Sequence, residues 1–195
     1  MKQIMKLATF AAVTLLPAVA FAGKGGISAT GLINVVPVGT FHVEGGGFSG
    51  EDDLDLAYGF GAQVDYWVTD AISVGFAPRY ILNVIPKDAD GDAATELDLA
   101  VRAQYNHTVN EKISAFGFLS PGFSSILPPG DSDSDSATGL IIGFGAGGRY
   151  GINEKLFAQG ELGYQLGFQG NTQMGVDVTT STSFLHIGVG VGSHF

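Results

Sequence analysis

The sequence contains no cysteine, seven prolines, a single tryptophan and only nine basic residues in 195. Without cysteine no disulfide can staple the fold, even in an oxidising compartment. The 19 acidic residues outnumber the Lys and Arg, for a formal charge of −10. Nucleic acid is thereby excluded as a partner, because phosphate contacts need a basic face. Long apolar runs are also missing beyond the first two dozen residues, and a membrane helix needs about 20. Yet hydrophobic residues make up 45 % of the chain, and glycine contributes 30 positions. A membrane protein without membrane helices has one other route, a closed β-barrel.

The one continuous apolar stretch is at the start. Lys2 and Lys6 precede an apolar run from Leu7 to Ala20, and Ala20-Phe21-Ala22 is a small-x-small cleavage site. Residues 1–22 therefore read as a cleaved signal peptide, too short for an anchoring helix. Residues 23–195 remain as one domain. Loss of Lys2 and Lys6 leaves 7 basic and 19 acidic residues, a charge of −12.

In that domain the dominant pattern is alternation, as a strand between lipid and lumen demands. From Leu54 to Tyr66, Leu54, Leu56, Tyr58, Phe60, Ala62, Val64 and Tyr66 share one face. Asp55, Gly59, Gln63 and Asp65 fall on the other. Similar alternation marks Ile72–Asn83, Glu96–Asn106, Leu140–Tyr150, Leu156–Phe168 and Leu185–Gly192. Ile27–Phe41 and Ile113–Leu127 are apolar but alternate poorly; with them the strands number eight.

Three connections are short and alike: Val68-Thr69-Asp70-Ala71-Ile72, Val109-Asn110-Glu111-Lys112-Ile113 and Ile152-Asn153-Glu154-Lys155-Leu156. Four are longer and rich in Gly, Asp, Ser and Pro: His42–Asp53, Val84–Thr95, Pro128–Ala137 and Gln169–Thr180. Seven connections of two kinds predict an antiparallel, up-and-down, eight-stranded transmembrane β-barrel. Its short turns and both termini are expected in the periplasm and its long loops outside. Tyr66, Trp67, Tyr105 and Tyr150 fall at the short-turn end, where an aromatic girdle is expected. Loops of about 10–12 residues, near the usual ceiling for structureless loops, argue against large adhesive projections of extended strands. A soluble barrel would put the apolar face inward; Gly-rich stripes opposite aromatic ones, and the terminal Phe195, favour lipid.

The pattern resembles the small eight-stranded outer-membrane barrel family, the group of OmpA transmembrane-domain-like and OmpX-like proteins. The resemblance covers Gly23 to Phe195 and is most specific in Val189-Gly190-Val191-Gly192-Ser193-His194-Phe195. That end is similar to the C-terminal signal read by the barrel-assembly machinery, although Ser193 stands where a hydrophobic residue is usual. The resemblance implies an integral bacterial outer-membrane protein, monomeric, in contact with outer-membrane lipid and lipopolysaccharide. The peptidoglycan-binding domain of full-length OmpA is expected to be absent.

The three arginines, Arg79, Arg102 and Arg149, all fall on the inferred lumen face. Asp65, Glu96, Asp98, Glu161, Gln63, Gln104, Gln159 and Gln165 share it. An eight-stranded barrel is only wide enough to be filled by side chains, so these groups are expected to form a paired polar plug. The expected role is structural or surface-interacting and non-enzymatic. A narrow channel or small-solute transporter is the first alternative, and a lipid A-modifying enzyme the second. For the latter, His186 with Ser181 and Ser183 is the candidate, with no carboxylate evidently placed to orient it. His42, His107 and His194 carry no catalytic pattern. No cofactor, metal or catalytic residues are predicted. Asp88–Asp92 resembles the start of a calcium loop, but Ala93 and Leu99 replace its sixth-position Gly and twelfth-position acid. It and Asp131–Asp135 read as solvated loop tips.

Overall fold

A computed structural model describes residues 24–87, 92–129, 136–173 and 176–195. The expected signal peptide, most of Asp88–Asp92 and all of Asp131–Asp135 lie outside the described residues. Nine strand segments follow one another: β1 (Ile27–Gly45), β2 (Phe48–Asp53), β3 (Ala57–Trp67), β4 (Ile72–Val84), β5 (Ala94–Thr108), β6 (Ile113–Leu127), β7 (Ala137–Gly151), β8 (Leu156–Gln173) and β9 (Val176–His194). Every neighbouring pair is antiparallel, and β1 also pairs with β9, which closes the sheet. Closure removes both sheet edges from the membrane span, as a bilayer requires. No described helix is long and apolar enough to cross a membrane.

The cylinder has eight staves, not nine, because β2 and β3 lie end to end along β1. β3 pairs with Ile27–Val36 and β2 with Thr40–Gly45. The expected strand from Leu54 is broken: Leu54 points inward, 7 % exposed, whereas Leu56 is exposed. The break coincides with a register shift in β1 between Val35 and Val38, around Pro37. Proline lacks the ladder donor, so it suits a bulge. At Pro78 and Pro121 the ladder is interrupted without a shift of register: β3–β4 pairing lapses between Gly61↔Arg79 and Val64↔Phe76, and β5–β6 pairing between Ala100↔Gly122 and Ala103↔Leu119.

The connections correct one expectation. His42–Asp53 and Gln169–Thr180 are largely strand rather than loop. β1 turns into β2 through Gly46 and Gly47, at φ 61° and 84°, the two positive values that a tight two-residue hairpin needs. β8 and β9 stay paired out to Gln173↔Val176. These strands, 18–19 residues long in β1, β8 and β9, exceed the length that a bilayer needs, about 9–11 residues. Above the lipid both faces of a ribbon meet water, so the polar content that suggested a loop is compatible with strand.

The three short turns are built alike. Val68, Val109 and Ile152 each donate a backbone hydrogen bond to the carbonyl of the restart residue, Ile72, Ile113 or Leu156. Thr69 Oγ1, Asn110 Oδ1 and Asn153 Oδ1 each accept from that residue's N–H at 2.8–2.9 Å. Short polar side chains stabilise a turn in this way. At the same end Ile27 and Phe195 exchange both backbone hydrogen bonds, at 3.2 and 2.8 Å.

The outer surface is the apolar face of every strand. Val64, Phe76, Val101, Leu119, Phe144, Leu162 and Val189 are all exposed. Tyr66, Tyr105 and Tyr150 stand exposed at the short-turn end, as a girdle should. Trp67 does not join them. It is one residue beyond Tyr66, so the period of two turns it inward, where it is 5 % exposed and its Nε1 donates to Ser28 Oγ at 3.3 Å.

Candidate functional site: the filled lumen

The inward faces bring together the groups that the alternation had assigned to them. Near the short-turn end Arg149, from β7, reaches Asp65 Oδ2, on β3, at 3.3 Å and donates from Nε to Gln159 Oε1 at 2.8 Å. Its guanidinium lies 5.0–5.7 Å from the ring centres of Phe157, Phe116 and Trp67. Gln63 donates to the same Asp65 oxygen at 2.6 Å, and Gln104 lies between Gln63 and Asn106.

In the middle Arg102, from β5, grips Glu161, on β8, with two nitrogens at 2.9 and 3.3 Å. Phe118 supports this fork, with its ring centre 3.7 Å from the guanidinium carbon. A desolvated cation over an aromatic face gains about 2 kcal/mol. His186 Nε2 lies 3.8 Å from Glu161 Oε1. Its ring fits because residue 163 is glycine: a Cβ there would come within 2.3 Å of His186 Cε1.

Toward the other end Arg79 pairs with Asp98 at 2.8 Å and also donates to Gln165. Gln165 Nε2 donates in turn to Asp98 Oδ2 at 3.2 Å and Glu96 Oε1 at 3.1 Å, and Ser124 supplies Glu96 with a second donor at 2.9 Å. Val36, Leu54, Ala57, Ile81, Val84 and Phe184 form an apolar layer near this end. Four buried carboxylates thus face three arginines, and Glu96 has no ion-pair partner among the described residues. Two changes on this tier should therefore differ in sign. Asp98→Asn leaves Arg79 without its counter-ion and is expected to lower unfolding free energy by about 3–5 kcal/mol. Glu96→Gln replaces a buried carboxyl that has no ion-pair partner among the described residues and keeps an acceptor for Ser124, and is expected to be neutral or stabilising by at most about 1 kcal/mol. Urea unfolding midpoints in lipid vesicles compare them directly.

Ser181 and Ser183 do not approach His186. They alternate onto the opposite face of β9, and Ser183 Oγ is hydrogen-bonded to Thr40 at 2.8 Å. The carboxylate that sequence reasoning did not find beside His186 is Glu161. The strand register Gly163↔His186 reveals it, whereas spacing along the chain does not. His42 lies in the β1–β2 hairpin near Glu51, His107 is exposed, and His194 stacks on Phe157 at 4.5 Å. Among the described residues no group of His, Cys, Asp and Glu has the makings of a metal centre.

A small cavity remains between the middle and upper pairs, about 50 Å³ in volume.

Comparison with known proteins agrees with this architecture. No curated protein sequence matches the chain significantly. Among solved structures, the outer membrane protein OprG from Pseudomonas aeruginosa superposes with a TM-score of 0.61 at 17% identity, over 90% of this chain and 99% of that one. Neisserial surface protein A superposes at 0.52 with 12% identity, over 86% and 97%. At such identities the likeness concerns the fold. The model of the outer membrane protein beta-barrel domain matches residues 8–195, nearly the whole chain, and the protein belongs to that family of integral outer-membrane barrels.

Proposed function

We propose that this protein is a non-conducting, non-enzymatic barrel that stabilises the outer membrane and displays acidic surface hairpins. The observation that carries this reading is the use of all three arginines inside the lumen. Each is paired with a carboxylate and packed near at least one aromatic ring. A solute crossing the barrel would have to break these pairs in a low-dielectric interior, where an unpaired charge is costly. A non-enzymatic role is supported by the position of His186, which is 3 % exposed and faces inward. A lipid substrate would have to be met at the outer surface. In planar bilayers the purified protein is expected to produce no stable channels. Reproducible unit conductance would favour the channel reading instead.

The same reading puts the short turns and chain ends in the periplasm and the β1–β2 hairpin, with Glu44, Glu51, Asp52 and Asp53, outside. The barrel would be a monomer, ringed by lipid and lipopolysaccharide. Phe195 would carry the contact with the barrel-assembly machinery, and it also closes the β1–β9 seam through Ile27. Deletion of Phe195 is expected to deplete the heat-modifiable, folded form from outer-membrane fractions. Unchanged levels would remove that partner.

A further inference from the structure

We propose that Glu96 and Asp98 hold one proton between them at neutral pH, which makes the pair a pH-sensitive latch in the upper lumen. Three observations converge on it. The first is charge. The described lumen sets three arginines, Arg79, Arg102 and Arg149, against four buried carboxyls, Asp65, Glu96, Asp98 and Glu161. An unpaired buried charge is costly enough that the group neutralises instead. The second is contact. Glu96 and Asp98 are two residues apart on β5, so both point inward, and each is 1 % exposed. Gln165 Nε2 donates to both, to Glu96 Oε1 at 3.1 Å and to Asp98 Oδ2 at 3.2 Å. The two carboxyls are also within hydrogen-bonding reach of each other. Ionised carboxylates only accept, so two of them in that contact repel. A carboxylic acid beside a carboxylate instead donates a short, strong hydrogen bond. The third is hydrogen-bond accounting. Glu96 Oε2 and Asp98 Oδ1, one oxygen on each carboxyl, are buried and have no donor in the protein. A proton on one carboxyl supplies the donor that the pair lacks. A metal ion would also answer acceptors, but it needs room. Asp98 borders the mid-lumen cavity, whereas Glu96, Ser124 and Gln169 do not.

Loss of the proton falls on a knot that ties four staves together. The charged groups facing Glu96 are Asp98, on its own strand, and Arg79, from β4. β6 and β8 present Ser124, Gln165 and Gln169, and β9 presents Thr182 behind Gln169; none of these titrates. Arg79 is committed to Asp98 through two nitrogens, at 2.8 and 3.1 Å. A second negative charge here therefore has no cation of its own. With the proton, and with His186 neutral, the arginines and carboxylates balance at three each. Without it the lumen carries one excess negative charge. Acid thus fastens the tier and alkali loosens it. In an opened tier Glu96 ionises as an ordinary carboxyl does, above about pH 4, while the closed pair keeps its proton. Opening grows about tenfold per pH unit from there until the closed pair itself ionises, and then levels off.

The proposal rests on the reading of a filled lumen, but the two fail differently: conductance tests the lumen, whereas carboxyl titration tests the pair. The experiment is carbon NMR of the full-length barrel in micelles, with carboxyl-labelled glutamate and aspartate, between about pH 5 and 9. The chain has six glutamates. At neutral pH one glutamate resonance is expected at the carboxylic-acid position, and it should be missing from Glu96→Gln. At higher pH it should move to the carboxylate position, and the Asp98 resonance should move with the same midpoint, as coupled sites do. Amide exchange on β5 around Glu96, taken as a ratio to that of Glu96→Gln, should rise about tenfold per pH unit up to that midpoint and then stay level. Six ionised glutamates at neutral pH would overturn the shared proton. So would a carboxylic-acid resonance that survives in Glu96→Gln, or an Asp98 carboxyl that ignores the titration of Glu96. An exchange ratio that is flat with pH would overturn the latch.

Discussion

Arg102→Met is expected to cost about 3–5 kcal/mol of unfolding free energy, the range for removing one partner of a buried pair. The loss has two sources. Glu161 would keep its burial, and its Oε1 and Oε2 would lose donors at 3.3 and 2.9 Å. Only the Gln159 donor, at 3.1 Å, and the His186 ring at 3.8 Å would remain beside it. The Phe118 face would also lose the cation 3.7 Å above it. The double variant Arg102→Met with Glu161→Leu is expected to recover most of the loss, since apolar groups of similar volume often replace a buried pair without penalty. Urea titration in lipid vesicles, following tryptophan fluorescence from the inward Trp67, measures all three proteins. A single variant as stable as the parent would mean that the pair is hydrated and the lumen open.

One residue away the opposite face gives the second large effect. Val101 is 54 % exposed and points outward. If that surface meets hydrocarbon, Val101→Arg should cost about 2–4 kcal/mol near the bilayer midplane, and the same change nearer an interface about 0–1 kcal/mol. Val101→Leu should stay within about 1.5 kcal/mol. Arginine is thus required at 102 and resisted at 101, a contrast that a water-soluble barrel of the same topology would not show. If Val101→Arg were neutral, the outward surface would not be the lipid surface.

Much of this architecture was legible in the chain because two rules operate without tertiary knowledge. Alternation of period two assigned Arg79, Arg102, Arg149 and their carboxylates to the lumen, since a pleated strand leaves a side chain only two directions. The Val/Ile, Thr/Asn, polar, polar, aliphatic repeat located the three short turns. Illegible features arose where a second environment overrode the pattern. β6 alternates weakly because its inward Phe116 and Phe118 are as apolar as its outward Leu119 and Phe123, and their reason for facing inward is an arginine on another strand. Trp67 lies at the short-turn end, where a girdle is expected, but the neighbouring Tyr66 already occupies the outward direction. The ends of β1, β2, β8 and β9 looked like loops because above the lipid nothing selects one face. The Glu161–His186 approach depends on the β8–β9 register, and the cavity depends on which positions are glycine on strands far apart in the chain.

The meeting of Ile27 with Phe195 has a consequence for how the molecule comes into being. The first stave finds its last neighbour only after β9 has been synthesised, so the cylinder cannot be finished stave by stave during translation. Until then two long edges stay open, which is a hazard for any sheet. Because Ile27 and Phe195 lie side by side, a few residues could join them. Cutting the chain at another short turn would then give the same cylinder with a new order of synthesis, in which a different pair of staves waits longest for its partner.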